Sequence, residues 1–249
     1  MRLALLSVEP APRHSADGDV DVRLSGRSGR AAIADGADPF ASRHTAADPA
    51  GVDAVLAGGL ADGLAGELAG ARLVIDADLA GLNLVLHRLL RAGLLDMLET
   101  AVLMREPVPY LSRLGLPDDL AEQLRVAVGA PARLVGVVKD DSGGVCVDAA
   151  SLAPWPGADS PWWLRAVVDD QRLCDGNAGG LRVHRLGPAE LQATVRLGRW
   201  RRRSCRGRSL QLACDPALIV ADGVARQRPR GKRTFWSEPE LWKLALPTG

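Results

Sequence analysis

Two carboxylates one residue apart, Asp76 and Asp78, stand where an apolar run from Ala71 to Ile75 gives way to a helix-like run from Leu79 to Leu90. A strand-to-helix junction is where α/β proteins bind nucleotides, because the free N–H groups of the helix's first turn point at the ligand. Two acids suit that place only if a divalent cation such as Mg²⁺ bridges them to phosphate. On that reading Asp76, Ala77 and Asp78 form a candidate nucleotide site. On the other, Asp78 caps the helix and Asp76 is a solvated loop acid. The junction has no glycine until Gly81, so the backbone lacks the close approach that a phosphate cradle uses.

Asp169 and Asp170 follow an apolar run, Trp162 to Val168, and fit either a metal or base site in a cleft or a plain turn. Seven arginines fall between Arg196 and Arg208, with Trp200 among them. They could engage phosphates of anionic lipid or nucleic acid. In an intact strand Arg201 and Arg203 share a face, so Arg199, Arg201 and Arg203 are the anion-binding candidates, against the alternative of a solvated hairpin. No helix-turn-helix or RNA-binding signature supports base readout. The four histidines are scattered, the four cysteines show no C-x-x-C pair, and no H-E-x-x-H occurs, so no zinc chemistry is indicated.

The chain of 249 residues holds one large domain or two small ones, and 47% apolar residues are ample for a core. No apolar run approaches the roughly 18 residues of a membrane span, and the N-terminus reads as a buried strand and not as a signal segment. A cytoplasmic protein with reduced cysteines is expected. Residues 1–150 carry 14 Lys+Arg against 21 Asp+Glu, and residues 151–249 carry 17 against 9, so the second part is the basic one.

The elements that must position these residues divide near residue 140. Before it, strands at Leu3–Val8, Ala71–Ile75 and Leu98–Met104 alternate with helices over 50–69, Leu79–Arg91 and from Asp119, which argues for a small three-layer α/β lobe with a parallel sheet over 1–140. Residues 9–49 are rich in Gly, Asp, Ser and Pro and read as a loop with one short strand at 20–24. After it, short runs, Leu210 to Cys214 and Ala217 to Ala221 among them, with turn residues such as Asp175-Gly176-Asn177 and Asp222-Gly223 between runs, predict an antiparallel β-sandwich-like lobe over 141–249, with a C-terminal aromatic tail docked on it.

In element order the chain resembles the bacterial diacylglycerol (lipid) kinases of the NAD kinase and diacylglycerol kinase superfamily. That family has a strand, G-G-D-G-T and a helix; here Ile75-Asp76-Ala77-Asp78-Leu79 occupies the junction. Its P-x-G-T-x-N segment, short helix and G-I-P are matched in place by Leu103 to Pro107 and Tyr110 to Pro117, and its late D-G-E by Asp222-Gly223-Val224. The resemblance implies an ATP- and Mg²⁺-dependent lipid kinase fold over residues 1 to about 225. The departures lie at the motifs: Ala77 and Leu79 replace the cradle, no Gly, Thr or Asn lies between Met104 and Tyr110, and Val224 replaces the final acid. Phosphoryl transfer is almost entirely positioning and electrostatic stabilisation of phosphate, so this pattern points to a degenerate lipid-kinase-like protein with a binding or regulatory role. The alternatives are an active lipid kinase with an altered nucleotide site and a binder of anionic lipid or nucleic acid through the Arg-rich hairpin.

Overall fold

A computed structural model describes residues 2–8, 42–46, 48–61, 71–157, 161–187, 189–225 and 230–248. Strands β1 (Arg2–Val8), β2 (Ser42–Ala46), β3 (Ala71–Ala77) and β4 (Glu99–Met104) are parallel, in the order β2-β1-β3-β4. Side chains alternate across this sheet. Leu6, Val8, Ile75 and Ala77 face helices α1 (Pro49–Ala61) and α2 (Leu79–Arg91), meeting Val52, Leu82 and Val85. Leu3, Leu5 and Val74 face the opposite side. A short helix, α3 (Pro109–Arg113), leads to α4 (Leu120–Gly129), whose Ala127 covers that second face. The result is three layers. Arg72, buried on the α4 side, donates to the Ala127 carbonyl at 2.7 Å and to Glu99 at 3.1 Å, so its charge is paired where it is desolvated.

From β5 (Ala132–Asp140) onward every pairing but one is antiparallel: β6 (Val145–Cys146), β7 (Ala149–Pro154), β8 (Trp162–Val168), β9 (Gln171–Ala178), β10 (Gly180–Gly187), β11 (Glu190–Arg196), β12 (Arg202–Gly207), β13 (Ser209–Ala221), β14 (Val224–Ala225) and β15 (Arg230–Ala245). Strand β13 pairs with β8 along Leu210–Cys214 and with β7 along Ala217–Ala221, its register breaking between Ala213 and Ala217. Pro216 sits in that break, where a residue without an N–H is tolerated. One strand therefore serves two layers, and Leu164, Val168, Leu191, Val195 and Ile219 fill the space between them.

The structure departs from the sequence expectation in four places. Strand β2 arises within the stretch read as loop: Ser42-Arg43-His44-Thr45-Ala46 has little apolar alternation, and its pairing with β1 is a long-range fact. The two strands expected over 210–221 are one. Asp175-Gly176-Asn177, expected as a turn, runs inside β9, with Gly176 at φ 138°. The C-terminal tail does not stay on the second lobe. Phe235 enters the β-rich core, but Trp242 and Leu244 enter the α/β core, and Leu244 pairs in parallel with Thr100 of β4. The Trp242 indole N–H donates to Thr100 Oγ1 at 2.7 Å. The sheet is thus continuous from the parallel strands through β15 into the antiparallel ones. The strand expected at 20–24 and the end of the helix expected over 50–69 lie outside the described residues.

Candidate functional site

The parallel strand order makes β1 and β3 neighbours from which the chain proceeds outward in opposite directions, and open α/β sheets bind ligands at such a switch point. Asp76 lies at the end of β3, in register with Ser7 of β1. It is 8% exposed, accepts from Ser7 Oγ at 3.5 Å, and lies 3.7 Å from the Arg105 guanidinium beyond β4. Ala77 is fully buried on the other face. Asp78 is the N-cap of α2, with extended backbone, and its carboxylate accepts the Gly81 N–H at 2.8 Å. A Cβ on Gly81 would lie 3.0 Å from the Ala77 methyl and 3.1 Å from Val8, so α2 begins in close contact with the sheet. The junction therefore already holds an anion on its first turn: the protein's own carboxylate.

Asp222 and Gly223 form the β13–β14 turn, at φ 49° and 83°, the paired positive values of a tight hairpin. The Asp222 carboxylate is buried and accepts the N–H groups of Val147 (2.6 Å), Asp148 (2.9 Å) and Ala149 (3.1 Å) and the Asn83 side-chain amide (2.9 Å). Burial pushes its pKa up, and these donors oppose that rise. The Cys146 thiol donates to it at 3.3 Å and is pushed well up by its own burial and by that carboxylate, so Cys146 stays protonated. Asn83 lies five residues beyond Asp78 on α2, about 7.5 Å along the helix. The structure thus brings the Asp222 turn near the Asp76–Asp78 junction.

Asp169 is at the other end of β13. That strand has 13 residues, on the order of 40 Å of rise. Its carboxylate accepts the N–H groups of Arg208 and Ser209, both at 2.9 Å, and the Ser209 hydroxyl at 3.0 Å. Burial works against it, but these donors and the Arg208 charge hold its pKa below the ordinary value. Asp169 has φ 48° in the β8–β9 turn, and Asp170 beside it is exposed. Among the described residues no group of three His, Cys, Asp or Glu side chains is placed to hold a metal.

The arginines are separated by the hairpin's geometry. Arg199 stacks over the exposed Trp200 ring at 5.2 Å, in the loop between β11 and β12. Arg201 ends that loop, its carbonyl accepting from Leu197 N–H at 2.9 Å. Arg203 pairs with the buried Val195, on the face toward Cys174. Register places two others together: Arg196 and Arg202 are partners on the outer face, next to the row that carries Arg182 and Thr194.

That face opposes α3 across a cavity of about 590 Å³ lined by Arg113, Asp148, Arg182, His184, Arg196 and Arg202. Helix α3 is anchored from beneath. Tyr110 donates its hydroxyl to the Gly136 carbonyl at 2.9 Å, and its ring lies 5.5 Å from the fully buried Arg185 guanidinium. Arg185 in turn donates to the carbonyls of Val137 and Glu238. Arg113, on the outer side of α3, donates to the Arg185 carbonyl at 2.9 Å. Sequence reasoning missed Asn83, Arg113, Arg182 and His184. The one legible signal was the i, i+2 spacing of Arg182 and His184 on a strand.

No protein-family model matches the chain, and no curated protein matches its sequence. Solved structures match its fold. A diacylglycerol kinase from Bacillus anthracis str. Sterne superposes with a TM-score of 0.66 at 10% identity, over 99% of this chain and 97% of that chain. A second structure from that organism reaches 0.70 at 9% identity over the same shares. An NAD kinase from Archaeoglobus fulgidus in complex with ATP gives 0.55 at 12% identity, over 98% of this chain and 93% of that one. The likeness is one of fold: an α/β lobe and a β-rich lobe in the arrangement of the diacylglycerol and NAD kinases, as the order of elements implied.

Proposed function

We propose that this chain keeps the lipid-kinase fold without ATP-dependent phosphoryl transfer, and that it works by binding. The observation that carries the reading is the Asp78 carboxylate on the Gly81 N–H at 2.8 Å. A phosphate entering the first turn of α2 would meet that negative charge, and the buried Ala77 methyl fills the space a glycine would leave open. The Arg105 guanidinium, 3.7 Å from Asp76, is directed to that carboxylate. These residues do not fit a nucleoside triphosphate. Loss of such phosphate contacts removes several kcal/mol of transition-state stabilisation, on the order of 10²–10³ in rate for each donor lost. No described helix is long and apolar enough to cross a membrane. The four cysteines are free thiols, which agrees with the reducing cytoplasm as the place of action.

The test is incubation of purified protein with MgATP and diacylglycerol in mixed micelles, alongside calorimetric titration of MgATP. The expected outcome is no phosphatidate formed and no saturable heat. Turnover that Asp76→Asn abolishes would overturn the reading in favour of an active lipid kinase with an altered site.

A further inference from the structure

We propose that the cavity between α3 and the outer face of β10, β11 and β12 is a binding site for a small phosphate-bearing molecule, with Arg196 and Arg202 as its principal phosphate contacts and Arg113 and Arg182 beside them.

Charge comes first. Four arginines line this space and only one carboxylate, Asp148, faces them. That carboxylate is 3.8 Å from Arg182, a long and partly solvated contact. Arg113 and Arg196 donate to main-chain carbonyls, which orient a guanidinium but leave its charge uncompensated. Arg202 has no ion-pair partner among the described residues. Like charges this close repel one another, and an anion of high charge density relieves that.

Geometry comes second. Gly179 has no side chain where a Cβ would lie 2.9 Å from Arg196 Nε, so the guanidinium lies across the glycine and donates to its carbonyl. Arg202 stands opposite Arg196 in register, and Thr194 offers a hydroxyl on the same face. Planar, pre-oriented guanidinium groups match the oxygens of a phosphate in bidentate fashion. A volume of about 590 Å³ is much larger than one phosphate and falls in the range of small-molecule sites. Pro109 and Ala153 give the remaining wall an apolar part, so the phosphate is carried on an organic body.

His184 supplies an independent reporter. Burial lowers its pKa, the charges of Arg182, Arg113 and Arg206 lower it further, and the Asp148 charge opposes them. A bound phosphate faces the same arginines and favours the imidazolium, so binding and protonation of His184 are linked and the titration of His184 must move upward.

None of the residues that line the cavity belongs to the Asp76–Asp78 junction, so the site is tested without ATP, and loss of phosphoryl transfer bears on neither result. The probes are inorganic phosphate and sn-glycerol 3-phosphate, titrated by calorimetry at low ionic strength. Glycerol 3-phosphate is expected to bind more tightly than phosphate. Arg196→Gln and Arg202→Gln should each weaken it by about tenfold or more, the usual scale of a charge-assisted contact. Arg199→Gln at the hairpin loop removes the same charge outside the cavity and should change affinity by less than about twofold. Saturating glycerol 3-phosphate should raise the His184 titration midpoint, followed by the imidazole NMR signals of the unmodified protein, which needs no variant to fold. Absence of binding by both probes would overturn the proposal, as would an Arg199→Gln effect equal to that of Arg196→Gln or a His184 midpoint that does not rise. Pelleting with phosphatidate-containing phosphatidylcholine vesicles separates the sources. Vesicle binding that glycerol 3-phosphate does not compete away would assign the arginines to a lipid surface and overturn the soluble ligand.

Discussion

The Asn83 amide of α2 donates to the Asp222 carboxylate at 2.9 Å, across 139 positions of sequence. Asn83 also donates to the Val145 carbonyl at 2.6 Å. One helical side chain thus ties β6 and the β13–β14 turn to the α/β lobe. The resemblance drew attention to Asp222-Gly223 as a motif remnant; in the fold Asp222 is the acceptor on which the lobes meet.

Asp222→Ala should therefore destabilise strongly. It leaves three main-chain N–H groups and the Asn83 amide without their acceptor, at about 1–3 kcal/mol for each one that water cannot reach. A total loss of roughly 3–5 kcal/mol is expected, with Asn83→Ala costing about 1–2. Urea denaturation measures both. An Asp222→Ala midpoint equal to that of the unmodified protein would refute the role.

Gly136→Ala should be among the most damaging alanine substitutions. A Cβ there would overlap the Arg185 guanidinium and the Glu238 carbonyl, so both a buried charge and a main chain must move. Gly129→Ala meets nothing within 4 Å and ends a helix, so it should be neutral or slightly stabilising. Thermal melts of the pair test the contrast, and similar melting temperatures would contradict it.

Asp78→Ala removes the cap of α2 and should cost about 1 kcal/mol, which Asp78→Ser should largely restore. Chemical denaturation reads the difference. A serine variant as weak as the alanine variant would mean that the capping bond does not matter to stability.

Asp140 gives a pH prediction. Burial pushes its carboxyl up, but donors from Ser142 and Gly144 and the Arg233 charge prevail and hold it below the ordinary value. Its folded pKa lies below its unfolded one, so its contribution is present above about pH 4 and is lost as pH falls through the folded value. Asp140→Asn should be less stable than the unmodified protein at pH 7, by about 1–2 kcal/mol because Arg233 keeps Asp141 at 2.7 Å. That gap should narrow as the pH falls below about 4. A gap constant between pH 7 and pH 3 would rule the assignment out.

The sequence by itself determined what short-range rules decide. Leu82, Val85, Leu86 and Leu89 at helical spacing behind Asp78 fixed α2 and its cap, and strand–helix alternation followed by short strands with turns gave an α/β lobe succeeded by a β-rich one. The order of those elements was enough to suggest the kinase fold that the solved structures share.

Only the tertiary structure decided pairing and convergence. Strand β2 exists because β1 offers it an edge, and Trp242 leaves the β-rich lobe because Thr100 and the α/β core receive it. Alternation within one strand says which residues share a face, but not which strand lies beside it. For that reason alternation pointed to Arg201 and Arg203 as sharing a face but could not show that register sets Arg202 against Arg196, or that the fold brings Arg113, 83 positions before Arg196 in sequence, to the same cavity.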